Sequence, residues 1–160
     1  MNFQLFLGSL YANPLILRIY MIVLDTNVLS ELMHSKGSLV VRQWVAAQPI
    51  MNLFTTTITQ AEILYGIALL PSGKRQTELS QSAQLMFAED FAGRILPFDE
   101  TAANAFARIA TERRQMGKPI SQADAQIASI CYTRQATLAT RNVSDFEGCS
   151  ITIFNPWEPD

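Results

Sequence analysis

Short runs of apolar or β-branched residues recur along this chain, each followed by polar capping residues and then by a stretch of helical periodicity. The runs are MIVL at 21–24, LFTTT at 53–57, IL at 95–96, TLAT at 137–140 and ITIF at 151–154. A continuous apolar run of this length suits a strand buried on both faces, as central parallel strands are. Strands alternating with helices at this spacing predict an α/β fold: a parallel sheet covered on both faces and joined by right-handed crossovers.

The intervening segments carry helix signals. Asp25, Thr26 and Asn27 offer capping side chains for a helix through Val28, Leu29 and Leu32. Residues 39–47 place Val40, Val41, Trp44 and Val45 on one face. Thr59-Gln-Ala-Glu62 has capping-box spacing ahead of Ile63, Leu64, Ile67 and Ala68. A turn at 72–74 leads into a helix over 75–91, and Asp99 or Glu100 opens a long helix to Met116, closed by Gly117. Ser121-Gln-Ala-Asp124 opens the next helix, and 141–148 reads as a loop.

With 160 residues, 49% hydrophobic and 16% charged, the chain has room for one domain with a substantial core. A net charge of -2 provides no bulk positive field for nucleic acid, so any such binding needs a local patch or bound cations. Cys131 and Cys149 have no CxxC or Cys/His pattern around them, which fits buried free thiols better than zinc or a disulfide. His34 is the only histidine and lies at an expected helix end, a poor place for a catalytic base. Residues 1–20 are apolar but interrupted by polar residues and Pro14, and lack a basic start. They read as neither signal peptide nor membrane helix, but as a dispensable extension before a domain at 21–157. A cytoplasmic protein without membrane attachment is expected.

Asp25, Glu62, Asp124 and Asp145 all lie just beyond a strand or early in the following helix. Each has a plain structural explanation alone, as a cap, a capping-box partner, a charge favoured by the helix dipole, or a turn residue. Together they differ, because strand carboxyl ends in an open α/β sheet share one crevice. Four crowded carboxylates repel unless a cation compensates, and oxygen-only ligands favour Mg²⁺, with Mn²⁺ as a substitute. Such a centre suits phosphodiester hydrolysis by a metal-activated water. Asp25 and Asp124 are the principal candidate ligands, with Glu62 and Asp145 binding through water or orienting the nucleophile. Thr26, Asn27, Thr140, Arg141, Asn142 and Lys118 are candidate contacts to substrate phosphate or metal waters, Arg141 and Lys118 foremost. Arg113 and Arg114 are weaker, since an exposed helix end attracts basic residues for dipole reasons alone.

Read in order, MIVLDTNVLSE, TTTITQAEILYGI, FAGRILPFDE, GKPISQADAQIAS and TLATRNVSDFEG followed by ITIFNPW resemble PIN-domain toxins of the VapC/FitB type, over residues 21–157. The resemblance implies a three-layer α/β/α sandwich whose five-stranded parallel sheet has the order 3-2-1-4-5. It implies a magnesium-dependent ribonuclease toxin acting on RNA, and a homodimer. The partner it implies is a cognate antitoxin with a DNA-binding domain, through which alone operator DNA is contacted. Asp25, Glu62 and Asp124 map onto the family's first three acids. For the fourth, Asn142 stands where some relatives carry an acid, and Asp145 is the available carboxylate.

Two other readings remain. A haloacid-dehalogenase-like phosphohydrolase also places an aspartate after its first strand, but wants a second Asp where this chain has Asn27. A non-catalytic module would use the acidic crevice only to receive a basic partner peptide.

Overall fold

The computed structural model describes residues 20–159. The expectations about a dispensable extension fall on residues 1–19, outside that range, and on Tyr20, whose phenol oxygen accepts a hydrogen bond from Thr137 at 2.9 Å.

The first apolar run forms β1 (Ile22–Leu24), buried along its whole length. It is followed by α1 (Thr26–Met33), α2 (Leu39–Ala46), β2 (Leu53–Thr56), α3 (Thr57–Ala68) and α4 (Lys74–Leu85). Then come β3 (Ile95–Leu96), α5 (Glu100–Gln115), α6 (Gln122–Arg134), β4 (Thr137–Ala139), the short α7 (Val143–Phe146) and β5 (Thr152–Phe154). The strands form one parallel sheet in the order β3-β2-β1-β4-β5, the order the resemblance implies.

Successive strand side chains point to opposite faces, and here both faces are apolar. Val23, Phe54 and Leu138 enter one core with Ile109 of α5, Ile127 and Ile130 of α6, and Phe146 of α7. Ile22, Leu24, Leu53 and Ala139 enter the other with Val28 and Leu29 of α1, Val41 of α2, Ile63 of α3 and Ala83 of α4. The result is helix, sheet and helix in three layers. The three central strands therefore lack the polar alternation of a half-solvated sheet.

Several local expectations are corrected. Thr56, not Thr59, caps α3: its hydroxyl accepts from the Thr59 amide at 3.0 Å while its own backbone stays extended. Three consecutive threonines offer competing caps, and the strand ends at the first position where the chain can turn. Glu62 is thereby a full turn inside the helix and is no capping-box partner. Val40 is 43% exposed, because only Val41 of that pair faces the core. The helix expected over 75–91 is α4 followed by a π-turn over Met86–Asp90, which brings Phe87 and Phe91 into the core. The expected loop at 141–148 contains α7, held down by buried Phe146.

Candidate active site

The centre is built where two neighbouring strands end together. Leu24 of β1 pairs with Ala139 of β4, and the Asp25 amide continues the ladder to the Ala139 carbonyl at 3.1 Å. Asp25 and Thr140 therefore emerge side by side at the carboxyl edge of the sheet. Asp25 is the N-cap of α1, with extended dihedrals, and its Oδ1 accepts from the Thr26 amide at 2.8 Å. Its Oδ2 accepts from the Thr140 hydroxyl at 2.7 Å and from Asn27 Nδ2 at 2.9 Å.

Asn27 does more than serve Asp25. Its Nδ2 also donates to Thr140 Oγ1 at 3.0 Å, and its Oδ1 accepts from the Arg141 amide at 3.2 Å. Thr140 Oγ1 accepts in turn from the Asn142 amide at 3.1 Å. The ends of β1 and β4 are thus stitched by side chains, and the Asp25 carboxylate sits at the middle of the stitching.

Asp25 is only 4% exposed. Burial pushes its carboxyl above the usual carboxylate value of 3.8; the hydrogen bonds from Thr140 and Thr26 pull the other way, and the negative charges of Asp124 and Glu62 add to the rise. Glu62 and Asp124 therefore each lie within electrostatic reach of Asp25. Glu62 projects from α3 and accepts a hydrogen bond from the Thr26 hydroxyl. Asp124 lies in the first turn of α6, where Ser121 caps the helix and donates its hydroxyl to Asp124 Oδ2 at 2.6 Å.

The side chains of the remaining candidates make no hydrogen bond or ion pair with these three carboxylates. Asp145 is exposed in the first turn of α7, and no hydrogen bond or ion pair ties its carboxylate to the other acids. Asn142 joins the network through its backbone amide only. Lys118 pairs with Glu147 at 3.9 Å. The Arg141 guanidinium lies over the ring of Trp157, 4.9 Å from its centroid. Arg113 is not on an exposed helix end: it is 4% exposed, and its Nη1 donates to the Glu147 carbonyl. Cys131 and Cys149 are free and buried, and burial pushes both thiols up, away from reactivity. Sequence reasoning missed the Ser121 hydroxyl bond to Asp124, although the Ser-x-x-Asp spacing carried that signal, and the contact of Trp157 with Arg141, which the motif ITIFNPW does not encode.

As a cation site, the centre offers only oxygen donors from Asp25, Glu62 and Asp124, the last two half-buried and open to an incoming ion. Among the described residues no three His, Cys, Asp or Glu side chains already stand close enough to form a ready cage. Glu62 and Asp124 are instead held by the hydroxyls of Thr26 and Ser121. The donor chemistry and mutual repulsion fit a hard divalent ion.

A family model described as PIN domain matches residues 22–147, a span that contains all four acids. The chain belongs to the PIN-domain family. It is 40% identical over 139 residues to the VapC ribonuclease Y4jK of Sinorhizobium fredii, covering 87% of this chain and 99% of that protein. It is 37% identical over 137 residues to Toxin FitB of Neisseria gonorrhoeae, with 86% and 99% covered. Among solved structures, FitAB bound to an IR36 DNA fragment superposes with a TM-score of 0.82 at 36% identity, over 88% of this chain and 98% of that one. Membership in the PIN-domain family sets aside the haloacid-dehalogenase-like reading. Among the described residues of this PIN domain, no helix is long and apolar enough to cross a membrane.

Proposed function

We propose that this PIN-domain protein is the toxin of a toxin–antitoxin pair, a divalent-metal-dependent endoribonuclease that hydrolyses RNA phosphodiester bonds. The observation that carries the reading is Asp25: a buried carboxylate with two further acids in reach is unfavourable by itself and becomes favourable when a cation neutralises it. The 37–40% identity to a VapC ribonuclease and to Toxin FitB supports the same class.

Asp25, Glu62 and Asp124 would hold Mg²⁺, or Mn²⁺ in its place, with Asp145 the candidate fourth acid. When bound, the ion supplies a Lewis acid that stabilises the charge developing on the phosphate and lowers the pKa of an attacking water. Thr140 and Asn27 fix the direction of the Asp25 carboxylate. Ser121 fixes Asp124, and Thr26 restrains Glu62. Asn142 and Arg141 are the groups available to a scissile or neighbouring phosphate, since Thr26 has its amide committed to Asp25 and its hydroxyl to Glu62. Lys118, engaged with Glu147, would reach RNA only at the margin.

The partner proposed is a cognate antitoxin carrying a DNA-binding domain, which gives the complex its contact with operator DNA; the similarity to a DNA-bound FitAB structure supports it. A cytoplasmic homodimer of domains spanning 21–157 belongs to the same proposal. The test is expression of Asp25→Asn and Asp124→Asn beside the parent in cells without antitoxin, with folding of each variant checked by circular dichroism. The parent arrests growth and cuts RNA in Mg²⁺, and both variants lose both properties. Folded variants that still arrest growth sink the acid-centred mechanism. A parent that binds antitoxin yet cuts no RNA in any metal points to the non-catalytic module instead.

A further inference from the structure

Arg141 is immediately next to the acid centre in the chain, yet it does not pair with an acid. Its amide is fastened to Asn27, the same side chain that donates to Asp25, so its backbone is fixed relative to the carboxylates. Its guanidinium turns away and lies over Trp157, 4.9 Å from the ring centroid. No hydrogen bond or ion pair with the described residues engages that guanidinium. Trp157 is itself held: it is half-buried against the core that contains Leu29 and Val41, and its amide donates to Asn155 Oδ1 at 3.1 Å. The preceding strand end is pinned as well, because the Thr140 amide donates to the Phe154 carbonyl at 2.9 Å.

Stacking on a ring orients a guanidinium without consuming any of its five N–H donors, whereas an ion pair would both consume donors and cancel the charge. The contact therefore presents an oriented, uncancelled cation on the residue that follows Thr140, the hydroxyl donor to Asp25. Because that guanidinium makes no hydrogen bond or ion pair with the acids, it points to a phosphate next to the one being cut. We propose that Arg141, held on Trp157, is the seat for a non-scissile RNA phosphate, with Trp157 as its positioning residue. The proposal rests on the ribonuclease reading above.

A contact to a phosphate that does not react strengthens ground and transition states alike, so it acts on KM and leaves kcat. The experiment is steady-state cleavage of a mixed-sequence single-stranded RNA pool in Mg²⁺ at several salt concentrations. It uses the full-length protein, Arg141→Ala, Trp157→Phe, Trp157→Leu and the Arg141→Ala/Trp157→Leu pair, with Asp25→Asn as control. Arg141→Ala raises KM about tenfold at unchanged kcat, the loss expected for one charge-assisted contact, and flattens the salt dependence by roughly 0.7 in log–log slope. Trp157→Leu gives about a threefold rise and Trp157→Phe, which keeps a ring face, less. The double variant is no worse than Arg141→Ala, because the two residues act as one unit.

A parent that cleaves while Arg141→Ala keeps its KM and salt slope overturns the seat and leaves the ribonuclease reading standing. So does a Trp157→Leu variant that melts earlier at unchanged KM, multiplicative losses in the double variant, or a fall in kcat at constant KM for Arg141→Ala. A parent with no Mg²⁺-dependent cleavage, or an Asp25→Asn variant that cleaves like the parent, sinks the ribonuclease reading itself and the seat with it.

Discussion

Replacing Thr140 by Val tests whether the Asp25 carboxylate is held in place from beneath. Thr140 is fully buried, and its hydroxyl donates to Asp25 at 2.7 Å while accepting from Asn27 and from the Asn142 amide. Valine fills nearly the same space, so no cavity enters the comparison. What is lost is one hydrogen bond to a charged acceptor, about 1.5–3 kcal/mol, together with the acceptor for a part-buried amide, for a total of about 2–4 kcal/mol. In a domain of this size that lowers the melting temperature by roughly 6–15 °C.

The deficit depends on pH in a determined direction. The Asp25 carboxyl already lies above its ordinary value, chiefly through burial, and Thr140 is the strongest influence pulling it down. Removing the hydroxyl raises it further, so the folded variant binds its proton over a wider range than the parent. Stability falls with rising pH wherever the folded state holds more protons than the unfolded one. The variant therefore matches the parent most closely in acid and falls behind as pH rises through the parent's and then its own Asp25 pKa. Urea denaturation in chelator across that interval measures the gap. Activity in Mg²⁺ falls about 10–100-fold, as for loss of a group that orients a ligand. A stability gap that is flat with pH, or under about 0.5 kcal/mol, refutes the claim that Thr140 supports a charged Asp25.

Metal-free protein gains stability as pH falls through the raised Asp25 pKa toward 3.8, since the unfolded chain holds that proton less tightly. Mg²⁺ opposes this trend: at a concentration about 100 times its Kd it adds about 2.7 kcal/mol, most visibly at neutral pH, and thermal melts with and without chelator measure both slopes. Arg113→Ala removes a buried guanidinium whose Nη1 holds the Glu147 carbonyl and whose Nε has no partner among the described residues. Loss of its packing costs about 2–4 kcal/mol, while Arg113→Met restores most of it because a buried charge of this kind is costly to keep; amide exchange at 147–149 speeds up in both. Ser121→Ala loses the α6 cap and the bond to Asp124, costing about 1 kcal/mol in chemical denaturation.

The corrected elements have a common origin. The strand runs and the helices at 26–33 and 122–134 were legible because their side chains repeat with the period of the structure and their caps are unambiguous. At Thr56–Thr59 the local chemistry offered more than one start, and backbone pairing with β3, through Thr56 and Leu96, decided it. Arg113 and Val40 are misread for the opposite reasons: a guanidinium is buried by a loop that arrives from residues 147–149, and a valine is left outside because its neighbour takes the core position. Neither outcome is encoded within one helical turn.

By itself the sequence determined the alternating α/β order and the family, and it singled out Asp25, Glu62 and Asp124 as candidates, because these reside in local periodicity and in motif residues that follow strands. Only the tertiary structure decided how those groups behave. Burial at the end of β1 raises the Asp25 carboxyl, and pairing of β1 with β4 sets Thr140 against it. The chain's return after β5 lays Trp157 under Arg141, while Asp145 and Lys118 are left outside the network. Desolvation, charge repulsion and stacking act between atoms that are near in space, and spacing along the chain carries no information about them until the sheet is assembled.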